Sequence, residues 1–260
     1  MRASMFLRRG FVYCSHAFSQ LWAVGFLLVI WQVWVDTTTP NSLIVVPPLE
    51  VLRDIGASPL MYAEAAVWTL GISLAGLVSG ILLGLILAIL AWTSELVSGF
   101  LGPSAILVAS TPVVCIIPLL ARIFGYRTAT EYFTVLIMMF FPSFVFAASG
   151  LRNLPPMSNQ LLGTWGTTRS KQLWLLALPA ALPSLATALR TGAAASILVA
   201  VVAEYLMQTG GLGALFAATM QQFNIPRAFG ASIVAMILSA TLYALAGLVE
   251  DRVHTIYGRD

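Results

Sequence analysis

Residues 155–183 read PPMSNQLLGTWGTTRSKQLWLLALPAALP, a short polar island in an otherwise apolar sequence. Pro156 suits the first turn of a helix, where a missing N–H costs little, and Gly166 suits a helix stop because it takes the left-handed conformation freely. Thr167 or Thr168 then caps a second helix that carries Arg169 and Lys171 and runs into Leu178-Pro179. The stretch predicts a helix, a glycine elbow and a second helix, all lying outside a bilayer.

Composition sets the context. Hydrophobic residues make up 59% of the 260 residues and charged residues only 9%, which excludes a soluble domain and requires a membrane. A net charge of +3 with scattered arginines excludes nucleic acid as a partner. Cys14 and Cys115 lie in different contexts and His16 and His254 are isolated, so neither a disulfide framework nor a metal site is suggested.

Six apolar spans are expected. Residues 1–16 carry Arg2, Arg8 and Arg9 between Phe6, Leu7 and Phe11, a pattern for a short interfacial piece. A signal peptide is the competing reading, but the run from Ala17 to Val35 is long, Trp-rich and without a small-residue cleavage site, so it reads as a retained first span. A Pro-rich turn and an amphipathic stretch around Pro47 to Leu52 suit an external connection along the membrane surface. The second span, Ala65 to Trp92, places Gly76, Gly80 and Gly84 on one face, a pattern that favours close helix packing over a pore lining. A turn at Thr93 to Gly99 leads to the third span, Pro103 to Phe124. Pro112 and Pro118 interrupt it and make it a pathway candidate, because freed carbonyls need cover.

The fourth span is Thr130 to Gly150, with Pro142 inside it, in which Met138 to Phe141 read as lipid-facing or packing rather than lining residues. The fifth, Ser184 to Met207, aligns Gly192, Ser196, Ala200 and Glu204 at i+4 spacing, so a carboxylate ends a stripe of small residues. A loop from Gln208 to Ala228, a last span from Phe229 to Val249 and a polar tail complete the chain. With the N-terminus inside, Arg2, Arg8, Arg9, Arg152, Arg169, Lys171, Arg190, Arg252 and Arg259 fall on the inner side, and Arg53, Arg122, Arg127 and Arg227 on the outer. That asymmetry places the polar island and both termini in the cytoplasm. The lone lysine, Lys171, sits in no phosphate-binding loop, so the chain offers no route of its own to ATP and no sign of enzymatic activity.

Several elements resemble one family, the permeases of binding-protein-dependent ABC importers. Their cytoplasmic loop follows Glu-Ala-Ala, three residues, Gly, nine residues, Ile, one residue, Leu-Pro, and here Gly166 and Leu178-Pro179 fall at that spacing. Gln160, Leu161 and Leu162 stand at the Glu-Ala-Ala positions and Leu176 at the Ile position, which are departures. Pro156 and the Pro47, Glu50 and Val51 group are similar to the nitrate/sulfonate/taurine branch, and Gly211-Leu212-Gly213 resembles the family's Gly-Leu-Gly after its fifth core helix.

The resemblance implies an all-α membrane protein of type I importer architecture. It comprises an N-terminal segment with first span and external loop (1–62), a five-helix core (63–250) with a coupling loop at 151–180, and a cytoplasmic tail (251–260). It further implies a pair of copies in the inner membrane, an ABC ATPase pair holding ATP and Mg, and an external solute-binding protein that delivers a small solute. The chain itself would hold no cofactor. Gln160, Leu161, Leu162, Thr164, Trp165, Gly166, Thr168, Arg169 and Lys171 would contact the ATPase.

Pro112, Pro118, Arg122, Ser196 and Glu204 are candidates for the pathway or its gate. Two of these, Glu204 and Arg122, have a plainer reading, and so does Arg190. Glu204 suits an interfacial carboxylate bonded to the amides of Gly210 to Gly213, Arg122 suits snorkelling to headgroups, and Arg190 suits a helix end or headgroup. The competing function is an ATP-independent secondary transporter or channel, which would want more intramembrane carboxylates than this chain offers. A membrane scaffold without a pathway is a further rival, opposed by the proline-broken third span.

Overall fold

The computed structural model describes residues 22, 25–38, 46–154 and 167–257, leaving out the side chains of 106, 108 and 109. The described residues form nine helices: α1 (Gly25–Thr38), α2 (Pro48–Ala57), α3 (Pro59–Thr93), α4 (Glu95–Ala109), α5 (Val113–Phe124), α6 (Thr128–Arg152), α7 (Arg169–Met207), α8 (Gly211–Gln221) and α9 (Ile225–Tyr257). Four of them, α3, α6, α7 and α9, are long and apolar enough to cross a membrane, and α1 and α5 are shorter apolar helices. Each of the six expected spans thus holds an apolar helix. The amphipathic N-terminal piece, the elbow at Gly166 and the helix expected before it lie outside the described residues.

The chain divides into two compact units. One gathers the described part of Met1–Pro59 with Thr219–Gly230. Within it, Pro47 takes an extended conformation ahead of α2, and Pro48 occupies the first turn, where its absent N–H is harmless. The Gln32 side-chain oxygen of α1 accepts the Leu49 N–H at 3.3 Å, and the Trp31 ring lies 5.9 Å from that of Phe229. Asn224 caps α9 through the Arg227 N–H at 3.3 Å. Arg227, expected only as an outer-side cation, forms a two-pronged ion pair with Asp54 at 3.0 and 3.2 Å.

The second unit, Leu60–Ala218 with Ala231–Asp260, is built on α3, α6 and α7. The glycine face of α3 lies against α6, as the i+4 spacing predicts. A Cβ at Gly76 would come 2.5 Å from Val135 Cβ, one at Gly80 2.8 Å from Met139 Cβ, and one at Gly84 2.7 Å from the Phe144 amide nitrogen. Contacts advance together along both helices, so α3 and α6 run parallel. α7 runs antiparallel to α6: Gly150 abuts Ala181 and Ser184, while Gly192, further along α7, faces Met139 and Leu77. Lipid supplies no hydrophobic drive for helix association, so such close backbone approach is what holds these helices together.

Structure and expectation differ at the helix ends. The turn expected at Thr93 to Gly99 shrinks to Ser94, and α4 starts at Glu95 and runs through Gly99 and Pro103. The third span is not one helix, because the chain is extended at Pro112 and α4 and α5 are separate. Pro112 has no N–H to give and biases Thr111 away from helix, whereas Pro118 stays inside α5 without ending it.

The island's second helix does not stop at Leu178-Pro179 and the fifth span does not start at Ser184; both belong to α7. A π turn at Leu173–Ala177, closed by the Leu178 N–H on the Leu173 carbonyl, inserts an extra residue ahead of Pro179 and gives its ring room. The expected loop after Met207 contains α8, and the last helix reaches back to Ile225 and on to Tyr257, taking in most of the expected polar tail.

We predict that Gly84→Ala destabilises the fold by about 1–3 kcal/mol, since the added methyl meets main-chain atoms of α6 that have no room to yield. Gly71→Ala, where nothing lies within 4 Å of the added Cβ, should stay within about 0.5 kcal/mol. Denaturant unfolding of the two purified variants in one detergent gives the comparison, and equal midpoints would dismiss the close α3–α6 contact.

Candidate functional site

Glu204 lies in the last turn of α7, on the same buried face as Gly192, Ser196 and Ala200. A buried carboxylate among spanning helices demands hydrogen-bond donors. Thr69 Oγ1 of α3 donates to Glu204 Oε2 at 2.9 Å, and the Gly213 N–H of α8 donates to the same oxygen at 3.0 Å. Thr69 Oγ1 in turn accepts the Leu212 N–H at 2.9 Å. Three helices thereby meet on one carboxylate.

The chain turns tightly enough for this because Gln208 and Gly211 take positive φ, 54° and 79°. Any Cβ at Gly211 would collide with the Glu204 carboxyl group. The plainer expectation for Glu204, bonded to an amide of the glycine segment, is what the structure shows, with Thr69 as an added partner.

A second buried carboxylate, Glu131 at the start of α6, stands close enough to interact electrostatically with Glu204. It accepts hydrogen bonds from Thr209 and from the Trp68 side chain. Gly210 lets the turn lie against the Trp68 ring, where a Cβ would approach to 3.0 Å. Glu131 Oε2 and Glu204 Oε1 have no hydrogen-bond partner among the described residues. Glu131, Trp68, Thr69 and Thr209 were not singled out from sequence. Glu131 reads as an ordinary acidic first-turn residue, and its partners are remote along the chain.

Among the other pathway candidates, Ser196 is buried and its hydroxyl donates to the Ala193 carbonyl at 2.9 Å. Pro112, Pro118 and Arg122 are exposed. These candidates do not converge on one site: Ser196 and Glu204 share a face of α7, whereas Pro118 and Arg122 belong to α5 and Pro112 precedes it. Arg190 departs from its expected place at a helix end or headgroup. Its guanidinium pairs with Glu250 of α9 at 2.8 Å and lies 4.5 Å from the Tyr243 ring centroid, while Thr187 donates to the other Glu250 oxygen at 2.6 Å.

At the opposite end of α3, α6 and α7, the described part of the polar island begins with Thr167. Thr168 holds the N-cap position of α7 without a side-chain hydrogen bond, and Gln172 instead reaches back to Thr167. Arg169 Nη1 approaches the Thr93 carbonyl at 3.5 Å, and Lys171 is exposed. Gln160, Leu161, Leu162, Thr164, Trp165 and Gly166 lie outside the described residues.

Known structures share the fold. An inward-facing structure of the MetNI methionine ABC transporter aligns with 78% of this chain and 99% of its own, at a TM-score of 0.60 and 17% identity. A crystal structure of an amino acid ABC transporter aligns with 77% of this chain and 97% of its own, at a TM-score of 0.62 and 18% identity. The fold is that of type I ABC importer permeases.

Sequence narrows the class. Residues 80–255 match the family described as binding-protein-dependent transport system inner membrane component, and the chain belongs to it. A probable ABC transporter permease protein of Haemophilus influenzae is 32% identical over 85% of this chain and 90% of its own. The formylaminopyrimidine transport permease protein ThiX of Halalkalibacterium halodurans is 28% identical over 86% and 90%, and the taurine transport system permease protein TauC of Escherichia coli 28% over 74% and 73%. The protein is a multi-pass inner-membrane permease subunit of an ABC importer.

The Glu204 cluster generates a stability prediction. Glu204→Ala leaves the Gly213 N–H without its acceptor and the Thr69 hydroxyl with only the Ala65 carbonyl, and should cost about 1–3 kcal/mol, as should Thr69→Val. Glu204→Gln keeps an acceptor oxygen and should recover part of that loss. Unfolding midpoints of the three purified variants provide the check, and an Ala variant as stable as the parent would dismiss the three-helix junction.

Proposed function

We propose that two copies of this chain pair about a two-fold axis to form the pathway of an ATP-driven importer, with ATP and Mg held by a pair of ABC ATPase subunits. The observation that carries this reading is the family match over residues 80–255, which takes in the whole polar connection between α6 and α7. The excess of arginine and lysine at that end favours a cytoplasmic connection and cytoplasmic termini. Residues 155–166 then dock in the ATPase groove as an amphipathic coupling helix, with Leu161, Leu162 and Trp165 as apolar anchors and Gln160, Thr164, Thr168, Arg169 and Lys171 at the polar edge. The Glu204 junction falls at the outer end, where a solute-binding protein would deliver its cargo. There it anchors α8 as part of the gate, with Ser196 below it on the same face. Pro112, Pro118 and Arg122, exposed on a single copy, are available to a pathway formed between copies.

The solute class follows from the relatives. Their names include transport of formylaminopyrimidine, taurine, riboflavin, aliphatic sulfonates and nitrate. A small organic molecule or oxoanion is therefore the proposed cargo. Mild-detergent purification of the tagged chain from its native membrane should bring down an ABC ATPase. Recovery of the chain alone, with uptake of solute in liposomes free of ATPase, would overturn the importer reading.

Trp165→Glu and Gly166→Pro should leave membrane insertion intact and ATP hydrolysis measurable. Uptake of taurine, alkanesulfonate, nitrate, formylaminopyrimidine or riboflavin, whichever the parent transports, should fall by about tenfold or more. Parental uptake in both variants would remove the coupling role from this segment.

A further inference from the structure

A cavity of about 340 Å³ opens where the apolar runs of α3 and α6 end, beside the polar connection. Its wall includes Trp92 and Thr93 from the end of α3, Glu95 and Ser98 from the start of α4, Arg152 from the end of α6 and Arg169 from the start of α7. Arg152 donates to the Ser98 hydroxyl, and Arg169 makes one long bond to the Thr93 carbonyl at 3.5 Å. Neither guanidinium forms an ion pair with any described carboxylate. A guanidinium is a fork of several donors, and here most of each fork has no protein acceptor among the described residues. Glu95 is the single carboxylate among the described residues of the wall, so these carry net positive charge.

Two exposed guanidinium groups that line one cavity without a carboxylate ion pair, one of them beside a hydroxyl, suit a tetrahedral oxyanion that accepts several hydrogen bonds at once. The depth of the cavity selects the carrier of that anion. α3 turns polar at Thr93 and α6 at Arg152, and Trp92 is an aromatic residue of the kind that sits at headgroup level. Basic pockets between helix ends at this level hold lipid phosphates. We propose that this cavity binds a phosphate-bearing anion, supplied by the headgroup of an acidic phospholipid, with Arg152 and Arg169 as its two ligands. A lipid held there ties the ends of α3, α4, α6 and α7 together. The site is defined on the permease chain itself, so the outcome of its test is independent of ATPase docking.

The test uses the full chain in mild detergent, titrated with phosphatidylglycerol, phosphatidylcholine or inorganic phosphate and followed by native mass spectrometry. The expected result is a tightly retained phosphatidylglycerol whose apparent affinity falls by about tenfold in the Arg152→Gln/Arg169→Gln double variant. The Arg152→Lys/Arg169→Lys variant, which keeps charge but loses the planar fork, should fall between the two and guards against a folding defect in the first. Arg252→Gln removes an exposed cation elsewhere and should bind as the parent does. Inorganic phosphate at millimolar concentration should not displace the lipid. Displacement by phosphate alone, equal retention of phosphatidylcholine, or unchanged affinity in the double glutamine variant would overturn the assignment to a lipid headgroup.

Discussion

Close approach of the α3 backbone to α6 is the constraint on which the second unit depends. Inside lipid, a leucine gains nothing by leaving hydrocarbon for a protein neighbour, so helices associate through contact area and buried polar bonds. Gly76, Gly80 and Gly84 remove the side chains that would hold the two helices apart, and Val135, Met139 and Phe144 fill the space. The register this fixes along α3 then decides where every polar residue of that helix can reach. Thr69, two turns before Gly76, arrives at Glu204, and Trp68 arrives at Glu131.

The charged groups of the unit are handled by one physical rule, met in different ways. A carboxylate or guanidinium removed from water costs several kcal/mol unless donors, acceptors or an opposite charge replace the water. Glu204 meets the rule with an amide and a hydroxyl, and Glu250 meets it with Arg190 and Thr187. In each case the partner stands on a different helix, so satisfying the charge also locks two helices together. Arg152 and Arg169 are the contrast: both are exposed, and their described partners are a hydroxyl and a carbonyl.

Much of this was legible from periodic spacing and little of it from residue type alone. Glycines four apart on α3 announce a packing face, and Gly192, Ser196, Ala200 and Glu204 announce a buried stripe, because helical geometry puts such residues on one side without knowledge of the fold. Glu131 carried no such signal: it sits in the first turn of α6, where an acidic residue is ordinary, and its burial is decided by Thr209 and Trp68, far away in the chain. Prolines show the same limit from another side. Pro112 ends a helix and Pro118 does not, although both interrupt one apolar run, and Pro179 passes unmarked because a π turn upstream makes room for it. Whether a proline breaks a helix depends on whether neighbouring backbone rearranges around it, which local sequence does not state.

The continuity of α7 that results has a mechanical consequence. Arg169, at the edge of the polar connection, and Glu204, at the junction with α3 and α8, belong to one helix of 39 residues, spanning ~58 Å at a rise of about 1.5 Å per residue. Had the helix broken at Leu178-Pro179, a push on the connection would have been absorbed at the break. It is instead a continuous rod, packed along α6 at Gly150 and Met139. At its far end Glu204 is bonded to Gly213 directly and to Leu212 through Thr69, so α8 and the start of α3 feel any displacement of the rod. The π turn at Leu173–Ala177 is the one π-helical stretch on that line, and it lies close to the end that carries Arg169.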